Sequence, residues 1–241
     1  MPLLDHFRPP LSQQRHWDSF HGAWAEAMAI HLNQSVLPEQ FVAEARVQLG
    51  CQVEIDVATF SQMGTAHVSG SGGVAVWAPP KPIAIVPLGF QDPDVFEVQV
   101  LSEEGGSRLV AAVELVSPAN KDRPASRRMF AVKCASYLTS GVSVLIVDVV
   151  TQRAGNLYAE LLDLLHARLS TAGQGAHDLY ATAHRTVSAA PGLGLETWAE
   201  RLTLGGPLPT LPLWLQPDLC LPLDLETTYQ AACVARRIAP E

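Results

Sequence analysis

The chain has 241 residues, 48% of them hydrophobic and 17% charged, with a formal net charge of −8. This composition excludes intrinsic disorder and collagen-like repeats, and the length suffices to bury a core without disulfide or metal staples. The acidic balance argues against non-specific coating of nucleic acid but leaves room for a local basic groove.

No apolar run approaches the ~18 residues of a membrane span, and the N-terminal MPLLDHFRPP lacks the pattern of a secretory leader, so a cytoplasmic protein is expected. Cys51, Cys134, Cys220 and Cys233 have no C-x-x-C spacing, which points to free thiols rather than zinc. Trp17 to Leu32 carries Phe20, Trp24, Ala27, Met28 and His31 at helical spacing, with Asp18 or Ser19 as N-cap. From Phe41 to Phe60 the period changes to two, interrupted at Gly50, which predicts a β-hairpin. Pairing about Gly50 sets Arg46 against Glu54 and Glu44 against Asp56. Like charges facing each other across a ladder repel unless a cation lies between them.

Residues 61–82 are rich in Gly, Ser and Pro and read as a long excursion. Strands follow at Ile83 to Leu88, at Val95 to Leu101 and at Leu109 to Val116, the last two joined by the turn SEEGGS. Ser117-Pro118 stops the third of these. A helix from about Ser126 to Thr139 then leads to the apolar strand Val142 to Val150, a β-α-β crossover with parallel outer strands. Leu157 to Leu169 reads as an amphipathic helix. The last third reads as short extended pieces wrapping the sheet, closed by a helix from about Leu225 to Arg237. The sum is one α/β domain over residues 1–241.

Glu114 is the foremost candidate for chemistry, because it is a lone carboxylate on a strand face otherwise made of Val110, Ala112 and Val116. An unpaired buried carboxylate is costly, so such a group is neutralised, hydrogen-bonded or bound to a cation. Lys121 to Lys133 holds five of the sixteen basic residues and one acid, Asp122. This run, with Arg123, Arg127 and Arg128, suits phosphate groups or simply a solvated helix face. Lys133 lies at helical spacing from Phe130 and Tyr137 and should point at the sheet. His16 and His21 are five apart, which suits packing better than a metal pair. No Walker loop, dinucleotide fingerprint or serine elbow is present.

The segment VELVSPANK (Val113 to Lys121), followed by Lys133, Tyr137 and then GVSVLIVDVV, resembles an uncharacterised bacterial family of unknown function. Its other marks, an early W-x-x-F-H, a P-D-V-like strand and closing proline-rich motifs, stand here as Trp17 to His21, Ile55-Asp56-Val57, PLPTLPLWL and PLDL. The same core is similar to the Uma family of restriction-like endonucleases. That resemblance implies a PD-(D/E)XK nuclease-like fold: a mixed central sheet flanked by helices, with an N-terminal helix and a Pro-rich C-terminal extension. It implies Mg²⁺ or Mn²⁺ held by Asp56 and Glu114, with Glu44 as an extra acid, and a lysine orienting the attacking water. Val116 occupies the usual lysine position, so the resemblance transfers that role to Lys133 on the following helix, or to Lys121. Arg123, Arg127, Arg128, Ser117 and Asn120 are then the candidates for binding DNA or RNA. The alternative class is a catalytically silent interaction or scaffold domain, including a homodimer, in keeping with the missing strand lysine and the net charge.

Overall fold

A single turn at Leu11–Gln14 (α1) precedes the fifteen-residue helix Trp17–His31 (α2), which runs into a π-helical turn at Leu32–Val36. The computed structural model describes residues 1–48, 94–167, 175–190 and 192–238 of this protein. Contacts divide the chain into two units, Met1–Leu49 with Pro93–Glu241, and Gly50–Asp92. All elements named below belong to the first. Helix α2 forms because Phe20, Trp24 and Met28 recur on one face and are buried there. Its N-cap is His16, not Asp18 or Ser19; Asp18 instead accepts from the Ser19 amide within the first turn.

Among the described residues six strands make the main sheet in chain order: Phe41–Gln48 (β1), Val95–Ser102 (β2), Arg108–Leu115 (β3), Ser143–Asp148 (β4), Leu179–Ala189 (β5) and Gly192–Leu202 (β6). Of these, β3 and β4 are parallel and the other described neighbours antiparallel. The described partner of β1 is β2, with Arg46 opposite Glu97 and Glu44 opposite Gln99. The second arm of the hairpin expected about Gly50 lies outside the described residues, as does the strand expected at Ile83 to Leu88.

The crossover between β3 and β4 holds two helices, Pro118–Asp122 (α3) and Pro124–Thr139 (α4). Ser117 and Asn120 close a reciprocal capping box at the start of α3. Pro124 then forces Arg123 into an extended conformation, φ −128° and ψ 152°, which ends α3 and lets α4 set off in a new direction with proline in its first turn. Leu157–Leu164 (α5) follows β4, capped by Asn156. The run Leu179 to Leu202, expected as short wrapping pieces, is instead an eleven-by-eleven antiparallel hairpin that widens the main sheet. Thr210–Gln216 (β7) and Leu219–Asp224 (β8) form a separate two-stranded ribbon, and Leu225–Ala235 (α6) closes the fold.

Strand alternation sorts residues onto two faces. Phe96, Val98 and Val100 face α2, where Phe96 meets the rings of Trp17 and His21. Helix α6 and strand β7 complete that layer. Glu97 and Gln99 face the other way, under the layer of α4 and α5. Strand β4 is covered on both sides and all six of its residues are buried. No helix among the described residues is long and apolar enough to cross a membrane.

Candidate functional site

The β2–β3 hairpin sets Glu97 directly opposite Glu114 on the face beneath α4. Their side chains keep only 4% and 2% of their exposure. Two buried acids facing each other across a ladder repel, and α4 supplies the answer. Phe130, Ala131, Cys134 and Leu138 bury its apolar stripe, and beside that stripe Lys133 and Tyr137 reach the acids. The Lys133 ammonium is 2.5 Å from Oε1 of Glu114 and 3.6 Å from Oε2 of Glu97. The Tyr137 hydroxyl donates to Oε1 of Glu97 at 3.0 Å, and the Gln99 amide donates to the same oxygen at 3.1 Å.

Glu97 is therefore well furnished and Glu114 is not. Oε1 of Glu114 has the Lys133 ion contact but no hydrogen bond of regular geometry among the described residues. Burial pushes the Glu114 carboxyl from 4.5 up to about 7; Lys133 pulls it back and Glu97 adds to the rise. For Lys133, burial alone would depress the ammonium, but the two carboxylates outweigh it and raise its pKa. Burial and Glu97 likewise push the Tyr137 phenol up. The result is a compact cluster of two acids, one ammonium and one phenol, open to solvent at Lys133, whose side chain is 30% exposed.

Of the sequence-predicted residues that are described, the fold brings Glu114 and Lys133 together. Asp56 lies outside the described residues. Glu44 is exposed on β1, opposite Gln99 of β2, and among the described residues no three His, Cys, Asp or Glu side chains are placed to hold a metal. Lys121 is turned inward by the α3 capping box and is spent on Asp148, at 2.8 Å with both side chains fully buried. Val150 N donates to Asp148 as well, and the Tyr180 hydroxyl accepts from the amides of Leu157 and Tyr158. These contacts lock the crossover to the start of α5, so Lys121 is a structural residue.

Ser117 and Asn120 are buried and occupied with each other, which removes them as substrate ligands. Arg127 pairs with Glu160 at 3.0 Å and donates to the Lys121 carbonyl, a helix-to-helix tie rather than a phosphate contact. Arg123 is exposed 3.7 Å from Asp122, and Arg128 is exposed on α4. Glu97 was missed by sequence reasoning. Its signal was legible in VFEVQVL, where Glu97 and Gln99 alternate against Phe96, Val98 and Val100 as the mirror of Glu114 on the next strand.

A groove of about 520 Å³ between α2 and α6 is lined by Ala27, Ile30 and Ala231 and lies on the opposite face of the sheet from the acids. No protein-family model matches the chain, and no curated protein or solved structure is significantly similar to it.

Proposed function

We propose that this protein is a divalent-cation-dependent phosphodiesterase of the nuclease type, acting on DNA or RNA, with its centre at Glu97, Glu114 and Lys133. The observation that carries the reading is the cross-strand acid pair bridged by one ammonium from the crossover helix. Acids on two neighbouring antiparallel strands, with the following helix packed over them, support a PD-(D/E)XK-like reading.

The donor set suits Mg²⁺ or Mn²⁺. Both are hard cations that take carboxylate oxygens and commonly use one or two protein carboxylates, completing their shell with water and substrate phosphate. Glu97 and Glu114 would hold the ion; Oε1 of Glu114 has the Lys133 ammonium against it but no regular hydrogen bond among the described residues. When bound, such an ion lowers the pKa of a coordinated water and stabilises charge on the phosphoryl oxygens. Tyr137 and Gln99 fix the Glu97 carboxylate in place. Lys133, partly exposed on a flexible stem, is positioned to neutralise the acids at rest and to face an incoming phosphate.

Cleavage of labelled single- and double-stranded DNA and RNA in Mg²⁺ or Mn²⁺ tests the reading, with Glu114→Gln and Glu97→Gln run alongside. The expected result is wild-type cleavage that falls by about a hundredfold or more in both variants. Cleavage equal in all three proteins, or none from the folded wild type, overturns it. The second reading, a catalytically silent interaction or scaffold domain, is favoured by one contact: the Lys133 ammonium already compensates the acid pair. It expects no metal-dependent activity.

A further inference from the structure

The row of charges that carries the acid pair continues one strand further. Arg46 on β1 is directly opposite Glu97, as Glu97 is opposite Glu114, so three charged residues stand on one face of three successive strands. With neighbouring strands about 4.8 Å apart, the Arg46 backbone is about 5 Å from that of Glu97 and about 10 Å from that of Glu114. Opposite charges facing each other across a ladder ordinarily pair. Here they do not: the Glu97 carboxylate is engaged by Tyr137, Gln99 and Lys133, all on its own strand or α4.

Arg46 is exposed and has no ion-pair partner among the described residues. The basic residues of the α3–α4 run are placed differently. Arg123 stands against Asp122, and Arg127 against Glu160. Arg128 is five residues before Lys133, about 140° round the helix and so away from the acids. A guanidinium on the same face one strand away from Glu97 adds positive charge beside the site, where the next phosphate of a polyanion would lie.

We propose that Arg46 binds a phosphate of the substrate next to the one held at Glu97, Glu114 and Lys133, so that the nucleic acid strand crosses the solvent-facing side of β1. This assignment rests on the phosphodiesterase reading of the acid pair. Arg46 sits outside the reacting set, so its removal should act on binding and leave the chemical step alone.

The test compares wild type with Arg46→Ala, Arg46→Lys and Arg46→Glu, using fluorescent single-stranded and duplex DNA and RNA oligonucleotides. Binding is read by anisotropy at several salt concentrations, and kcat and KM wherever cleavage occurs. Arg46→Ala is expected to raise Kd and KM about tenfold with kcat within about twofold, and to reduce the slope of log affinity against log salt by about 1. Arg46→Glu should be weaker still and Arg46→Lys intermediate, all with unchanged melting temperatures because the position is exposed. Cleavage with the same KM in every variant overturns the role of Arg46 and leaves the phosphodiesterase reading standing. Binding lost on Arg46→Ala, in a protein that cleaves nothing, keeps the phosphate contact and overturns the hydrolase. Absence of binding by the wild type overturns both.

Discussion

Replacing Glu114 by Gln should make the protein more stable above neutral pH. In the fold its carboxyl is raised from 4.5 to about 7, chiefly by burial, with Lys133 opposing and Glu97 reinforcing the rise. A folded-state pKa above the unfolded one means that the native protein holds this proton longer. Stability therefore falls as pH rises from about 4.5 to about 7 and stays reduced beyond that. Each tenfold change in proton affinity is worth about 1.4 kcal/mol, so forcing the buried group to ionise costs about 3 kcal/mol. The attraction to Lys133 is already counted in that figure. Gln has nearly the shape of the protonated acid and escapes the penalty. In urea unfolding with a chelator present, Glu114→Gln and wild type should agree near pH 5 and separate by about 1 to 3 kcal/mol in favour of the variant at pH 8.5. Adding Mn²⁺ at pH 8.5 should stabilise the wild type by mass action and leave the variant unmoved. A variant less stable than wild type at pH 8.5, or a difference that does not change with pH, would refute the argument that this acid is held against its own ionisation.

Two further outcomes follow from the buried charges. Lys121→Met should destabilise by about 3 to 5 kcal/mol, because it strands Asp148 in the core without its partner. Adding Asp148→Leu to that variant should recover much of the loss in equilibrium unfolding, whereas a catalytic Lys121 would have changed activity without so large a stability effect. Burial lowers the pKa of His6 and His184 to about 3 and that of His21 to about 4, with His21 also depressing His6. Here the unfolded chain binds the extra proton, so the stability present above pH 6.5 is lost as pH falls toward these values. His184→Gln should flatten that dependence by about 1.4 kcal/mol per pH unit between pH 6 and 4; an unchanged slope in chemical unfolding would show that His184 is not buried neutral.

The path of the chain was legible wherever local pattern and packing demand the same element. The β2–β3 hairpin, the parallel crossover and α4 each follow from alternation, from Ser117-Pro118 and from helical spacing, and they suffice to place Glu114 and Lys133 together. The β5–β6 hairpin was not legible, because its outer arm is mostly half-exposed and its alternation is blunted by Gly192, Gly194, Thr197 and Glu200. Like charges do oppose each other across a ladder at Glu97 and Glu114, while Asp56, expected opposite Glu44, lies outside the described residues. Register between strands distant in sequence is set by the sheet as a whole, and no local spacing encodes it. Lys121 and Lys133 could not be told apart for a similar reason. The extended residue imposed before Pro124 turns one inward to Asp148 and the other over the acids, and that is a matter of helix direction rather than composition.

The acids and their ammonium belong to steps of folding with different speeds. Glu97 and Glu114 are joined by a short turn, and hairpins of this kind close in microseconds. Lys133 arrives only when α4 has folded back over the β2–β3 hairpin, an event with a larger loop to close. For that interval the two glutamates face each other without their counter-ion. A proton on one of them removes the repulsion, so mild acid eases the earliest hairpin while the finished fold depends on a lysine contributed later by the chain.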